Sequence, residues 1–311
     1  MQLFDLHCAT LYRAATEKER LTENSFHVSF KKAQSIRPWI QCMAVWIPDT
    51  MRGDQAFHFV LQCAEILETE LERTGDRIQK IQTGKEIRKV QESSAAGIIL
   101  TIEGGAALAG KLENIKKLRA VGVRMMTLTW NGENELGYGC LATGRGGLKP
   151  FGRVALQEME KNGVVADLSH ASERLFYDVA ETAGRPFIAS HSNARRICNH
   201  PRNLTDAQFC IIRDRGGIVG INFCRSFLRA DENAGFADIL SHTEHFLSLG
   251  GENTVCIGSD FDGTDMPDGI KGIADVEALY TYFLRHNYRE TLLRKIFFEN
   301  AAQFCENFDK L

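Results

Sequence analysis

Two stretches decide the fold: Val164-Val165-Ala166-Asp167-Leu168-Ser169-His170 and Phe187-Ile188-Ala189-Ser190-His191. Each is a short apolar run closed by a histidine, the pattern of a buried strand. Between them, residues 171–183 carry helical spacing, with Ser172 placed to cap the start and Gly184 the end. Pro186 stops the helix from continuing. Strand, helix, strand is a βαβ unit, and its two strands must run parallel. Their C-terminal ends then share one edge of the sheet, so His170 and His191 are expected side by side, at the edge where α/β folds keep their chemistry. The competing reading is two unrelated strand-end histidines that cap loops.

The same rhythm extends in both directions. Strands are expected at 3–8, 38–47, 97–103, 125–130, 164–170, 187–191, 217–223 and 254–261. Helices are expected at 55–73, 87–92, 112–120, 151–161, 204–215, 237–249 and 290–304, with Asp54 and Thr205 at or near the starts of two of them. Eight β/α units predict a closed (β/α)8 TIM barrel, with an open doubly wound sheet as the runner-up. No composition break or linker divides the chain, so residues 1–311 are read as one domain. The glycine-rich loop 131–147 matches no phosphate-loop spacing and is read as a wall of the active site.

In such a barrel the strand ends carry the chemistry. They bear Asp5 and His7, Glu103, His170, His191, and Asp260 followed by Asp262. Each alone is weak, because a strand-end acid is commonly a turn former. Together they put three imidazoles and several carboxylates on one rim, a ligand set suited to Zn²⁺, with Mn²⁺ or Co²⁺ as alternatives.

Composition narrows the rest. A formal net charge of −3, without a basic tract, gives no electrostatic case for nucleic acid. No apolar run is long enough to span a bilayer, and the N-terminus lacks a basic start followed by an apolar stretch. Nine scattered cysteines without a CxxC pair fit reduced thiols in the cytoplasm.

A set of motifs runs from end to end: Asp5-Leu6-His7, Glu103-Gly104-Gly105, Leu128-Thr129-Trp130-Asn131, Asp167-Leu168-Ser169-His170, Ser190-His191-Ser192-Asn193-Ala194-Arg195, His200-Pro201-Arg202-Asn203-Leu204 and Gly258-Ser259-Asp260-Phe261-Asp262-Gly263. In these the chain resembles the renal (membrane) dipeptidase family of metallopeptidases, which is related to the amidohydrolases. The resemblance implies a β/α barrel that hydrolyses small dipeptides through a metal-bound hydroxide. It implies that Glu103 bridges two zinc ions, that His170 and His191 complete one, and that His7 belongs to the other. Asp260 would be the general acid/base. Arg202 would pair with the substrate carboxylate, with Trp130 and Asn131 as further substrate-binding positions. A homodimer is implied by the family alone.

The chain departs from the family at three places. The first motif is usually His-x-Asp, and here it reads His7-Cys8-Ala9. Residues i and i+2 of a strand share a face, so a methyl group is expected where a carboxylate ligand belongs. Asp5 is expected on the same face but about 6.6 Å lower along the strand, and Cys8 on the opposite face unless the strand bulges. Trp130 stands where animal members carry histidine, and Cys224 where a tyrosine is usual. Ala9 predicts one tight ion at Glu103, His170 and His191, a weak or empty second position at His7, and reduced activity. Two alternatives remain: a family member that has lost catalysis and acts as a binding protein, and a hydrolase of another small amide.

Overall fold

Hydrophobic strands that must be covered on both faces build the centre of this chain. The fold is described from a computed structural model covering residues 1–93, 95–144 and 146–311, the side chain of Asp76 excepted. Arg145, in the glycine-rich loop, lies outside the described residues. The strands are β1 (Leu3–Cys8), β2 (Trp39–Trp46), β3 (Ile78–Lys80), β4 (Ala96–Glu103), β5 (Val123–Thr127), β6 (Val165–Asp167), β7 (Val219–Ile221) and β8 (Val255–Ile257). β1 and β4 are buried along their whole length, as parallel strands sandwiched between layers must be.

Regular parallel pairing follows the order β6-β5-β4-β2-β1-β8-β7. Residues 187–190, expected as a full strand, make only single parallel bridges, Asp167↔Ile188 on one side and Ala189↔Val219 on the other. Those bridges carry the pairing from β6 to β7 and close the ring, which excludes the open sheet. The fold is an eight-membered parallel barrel of the TIM type. Gly220 and Gly258 let neighbouring backbone approach this seam, because a Cβ on either would overlap the Ser190 carbonyl. β3 pairs with β4 outside the ring and was not legible as a strand.

Phe4, Leu6, Ile40, Cys42, Ile99, Met125, Val165, Ile188 and Cys256 fill the inside of the ring. Phe298, Phe304 and Phe308 join this cluster and plug its N-terminal end. They belong to the closing segment, expected as one helix. It is instead Glu290–Arg294, a π turn Lys295–Glu299, and Asn300–Phe308. A helix at Val276–Arg285 was not anticipated.

The caps divide. Ser172 accepts from Leu175 N, and Thr205 forms a capping box with Gln208. Gly184 is not a cap: the helix Glu173–Thr182 ends at Ala183, and Gly184 N donates to Glu160 Oε1 at 2.8 Å. Nor is Asp54, which lies in the first turn of Gly53–Glu72 and takes Lys111 Nζ at 2.6 Å. All nine cysteines are free thiols. Among the described residues no helix is long and apolar enough to cross a membrane.

One irregularity positions the site. Asp5 pairs with Gln41 but Cys8 pairs with Met43, so β1 carries one extra residue between them, a β-bulge. Positions 41 and 43 share a face of β2, so Asp5 and Cys8 share a face of β1. This corrects the expectation that Asp5 lies on the His7 face. Asp5 is fully buried and braces the bulge: its carboxylate accepts from His7 N (3.3 Å), Ser259 N (2.8 Å), Ser259 Oγ (2.5 Å) and Gln41 Nε2 (2.9 Å).

Candidate metal centre

The bulge turns His7 toward the histidines of β6 and the seam. Its ring stacks on His191, with centroids 3.8 Å apart and planes inclined by 27°. Glu103, at the end of β4, lies at the centre of the group. His170 Nε2 is 2.8 Å from its Oε1, His191 Nε2 is 3.6 Å from the same oxygen, and His7 Nε2 is 3.5 Å from Oε2. His170 Nε2 and His191 Nε2 are 3.0 Å apart. His7, Glu103 and His191 offer ligand atoms that all lie within 4.8 Å of one another.

Hydrogen bonds behind the rings fix which nitrogen is free. His170 Nδ1 lies 2.8 Å from Asn131 Oδ1, an acceptor, so Nδ1 carries the hydrogen and Nε2 the lone pair. Ser190 Oγ donates to Asp167 Oδ2 and therefore accepts from His191 Nδ1 at 2.7 Å, which frees His191 Nε2 in the same way. Asp167 also takes the N–H groups of Ser169 and Ser190, each at 2.9 Å, and the Thr127 hydroxyl at 3.1 Å. In the sequence Asp167 and Ser190 stand only as letters of their motifs. The signal for them was an acid set in an otherwise apolar strand.

The electrostatics keep both rings neutral. Burial, aided by Arg202, holds the His170 imidazole down at about 4. Burial and the charge of His7 hold His191 well below its ordinary value. Burial alone would raise Glu103, but the charge of His7 beside it outweighs that and holds the carboxyl well below the usual range. His7 is likewise opposed by burial, yet Glu103 and Asp260 lift it to about 9.

Two neutral imidazoles with converging lone pairs and an anionic carboxylate form a donor set that fits a divalent cation. His7 Nε2 is buried beside them without a hydrogen-bond partner.

The other expected residues fall around this group. Asp260 Oδ1 is 3.7 Å from His7 Nε2, while Oδ2 accepts from Asn222 Nδ2 at 3.0 Å. Burial pushes Asp260 up to about 6. Both His170 and Asp260 have left-handed backbones, with φ of 68° and 62°, which is uncommon outside glycine. Asp262 is spent on folding: it accepts from Thr10 Oγ1, His27 N and Val28 N.

Ala9 follows the end of β1 and leads into the helix Thr10–Glu17. It lines a cavity of about 380 Å³ together with Glu103, His170, Asp260, Trp130 and Asn131. The strand does bulge, but Cys8 stays on the Met43 face, with Thr10 Oγ1 on its sulfur at 3.3 Å. Trp46 and Trp130 meet edge to face on one wall, with centroids 4.9 Å apart. Arg202 is 4% exposed; it donates Nη2 to the His191 carbonyl at 3.2 Å, and its Nε has no partner. Its guanidinium lies 5.3 Å from the ring of Phe227, which lines the cavity, and Arg202 itself stands behind that wall rather than in the lining.

The sequence pattern of the membrane dipeptidases, peptidase family M19, matches residues 1–310. A crystal structure of a metallopeptidase from Rhodobacter sphaeroides, liganded with a phosphinate mimic of the dipeptide L-Ala-D-Ala, superposes with a TM-score of 0.92. It is 28% identical, and the match covers 98% of this chain and 99% of that one. A second structure, dipeptidase AC of family M19, gives 0.92 at 29% identity over 98% of both chains. An uncharacterized protein of Klebsiella pneumoniae is 31% identical over 252 residues, which is 78% of this chain and 93% of that protein.

Proposed function

The chain belongs to the membrane dipeptidase family, peptidase family M19, and from that premise we propose how its site works. It is a metal-dependent dipeptidase. The observation that carries this reading is the convergence of two free imidazole Nε2 atoms on Glu103 Oε1. Glu103, His170 and His191 would hold a divalent cation, zinc being the natural choice for this donor set, and the ion would supply Lewis-acid activation when bound.

The chain's own residues do the rest. Asp260, anchored through Oδ2, takes a proton at Oδ1 and returns it to the leaving amine. Arg202 pairs with the free carboxylate of the substrate, which limits the substrate to short peptides such as L-Ala-D-Ala. Trp130 offers an aromatic wall for a side chain. Asn131 keeps His170 in its ligating tautomer besides lining the cavity.

With Ala9 in place of an acid, the His7 position holds a second ion weakly, and turnover is low or metal-demanding. The reading extends to one domain over residues 1–311, a cytoplasmic location and a homodimer.

The test is hydrolysis of a dipeptide panel by chelated protein reloaded with Zn²⁺, Mn²⁺ or Co²⁺, beside Glu103→Gln. Metal-restored turnover that Glu103→Gln abolishes is the expected result. If the native chain is silent with every ion and Ala9→Asp is active, the chain has lost catalysis.

A further inference from the structure

At the end of the barrel opposite the histidine rim, a cleft of about 660 Å³ runs between the helix Gly84–Ser93, the loop before β6 and the closing helix. Its walls are basic in a chain whose formal net charge is −3. Arg88 pairs with Glu306 and Arg124 with Asp309, and Lys161 lies 3.7 Å from Glu158. Lys85, Arg119, Arg185 and Lys310 also line the cleft, and none has a carboxylate within ion-pair distance among the described residues.

Two of the guanidiniums are forced together. Arg119 Nη2 donates to the Gln82 carbonyl at 3.2 Å, and Arg124 Nη1 donates to the same oxygen. Arg124 is 7% exposed, so water screens this pair poorly. Two neutral oxygens of Gln82, its carbonyl and its Oε1 at 3.5 Å from Arg119 Nη1, and the single carboxylate of Asp309 face two full charges. Asp309 already behaves as a resident anion: Oδ2 accepts from Gly84 N at 2.5 Å and Oδ1 from Arg124. Beside it, the Arg185 guanidinium lies over the Phe308 ring, 5.4 Å from its centroid.

We propose that this cleft binds a compact polyanionic small molecule carrying at least two phosphate or carboxylate groups. A concave site of this volume suits a small molecule. A nucleic acid would call for an extended basic stripe, which the sequence lacks. The ligand would bridge the closing helix to Gly84–Ser93 and tighten the plug of the barrel.

The test uses the metal-loaded protein in isothermal titration, with fructose 1,6-bisphosphate and propane-1,2,3-tricarboxylate as separate probes. The expected result is saturable binding of at least one probe and a raised melting midpoint. Lys85→Ala/Arg185→Ala removes two cations without acid partners and should weaken binding about tenfold or more. Dipeptide hydrolysis without the probe should be unchanged, since neither residue belongs to the metal centre. Lys310→Ala should weaken binding in the same direction and serves if the double variant does not fold. Equal affinity of native and variant proteins would place the anion elsewhere and overturn the proposal. So would the absence of saturable binding, or an oligonucleotide that binds more tightly than either probe.

Discussion

His170 and His191 present their Nε2 atoms to each other at 3.0 Å, although one follows β6 and the other the seam beside it. Two unprotonated nitrogens at this distance repel unless a positive charge lies between or beside them. The relationship depends on the tautomer of each ring, and therefore on the groups behind it.

Asp167→Asn tests that dependence. The substitution weakens the acceptor that orients Ser190 and, through it, His191. Metal affinity should fall about 10–100-fold, measured by competition with a chromogenic chelator, while the circular dichroism spectrum is retained. Unchanged affinity would mean that His191 needs no help to choose its tautomer.

Ala9→Asp tests the count of ions. Elemental analysis of protein equilibrated with excess zinc should give about one tightly held ion per native chain and about two per variant chain, on the logic that each added anionic ligand deepens a site. Two equally tight ions in the native protein would refute the assignment.

Gly263→Ala tests the placement of Asp260. A Cβ at 263 would overlap Asp260 Oδ1, so the carboxylate must move. Displacing a catalytic group by an ångström costs on the order of 100-fold in rate. The drop should appear in kcat, with metal content unchanged; an unaltered kcat would take Asp260 out of the proton transfer.

Arg202→Ala tests substrate anchoring. For a free dipeptide, kcat/KM should fall by about tenfold or more. For the same dipeptide amidated at its C-terminus, native and variant should perform alike. If both substrates suffer equally, the guanidinium serves the fold rather than the carboxylate.

His242 sets a pH limit away from the site. It is fully buried, with Nδ1 accepting from Ala194 N at 3.0 Å and Nε2 donating to Leu228 O at 2.9 Å. Burial holds it down at about 4, against 6.5 when unfolded. Below pH 6.5 the unfolded chain binds a proton that the folded chain refuses. Stability from this group is therefore complete above pH 6.5 and drains away as pH falls toward 4, by up to about 3 kcal/mol. Urea midpoints measured across that window should slope less for His242→Gln; parallel slopes would assign the loss to other groups.

Much of this was legible in the sequence because parallel strands are buried on both faces. Runs such as Ile98-Ile99-Leu100-Thr101-Ile102-Glu103 announce both a strand and its polar end. His7, Glu103, His170 and His191 followed from that logic, and the structure brings them together. What strand periodicity could not supply was the bulge in β1. One extra residue reverses the facing of everything after it, so Asp5 was placed on the His7 face when it braces the opposite one. Residues 187–190 looked like a strand because Phe187, Ile188 and Ala189 are buried, yet burial alone does not make a regular ladder. The strand ends were read too long, at 164–170 and 254–261, because the left-handed turns at His170 and Asp260 leave no mark in hydrophobicity.

The seam at residues 187–190 has a mechanical consequence. Where β2 and β4 are laced by eight registered pairs, a single bridge on each side holds the hoop shut here, much as the single registered pair Asp5↔Ile257 does between β1 and β8. Side chains reinforce the join, with Asp167 gripping Ser190 N and Ser169 Oγ gripping His191 N. His170 stands on one bank of the join and His191 on the other, so a cation shared between them would rivet the hoop at a place where its weave is thin. The same ion that serves chemistry would then also govern how readily the barrel breathes, and deuterium uptake at 187–190 would report its arrival and departure.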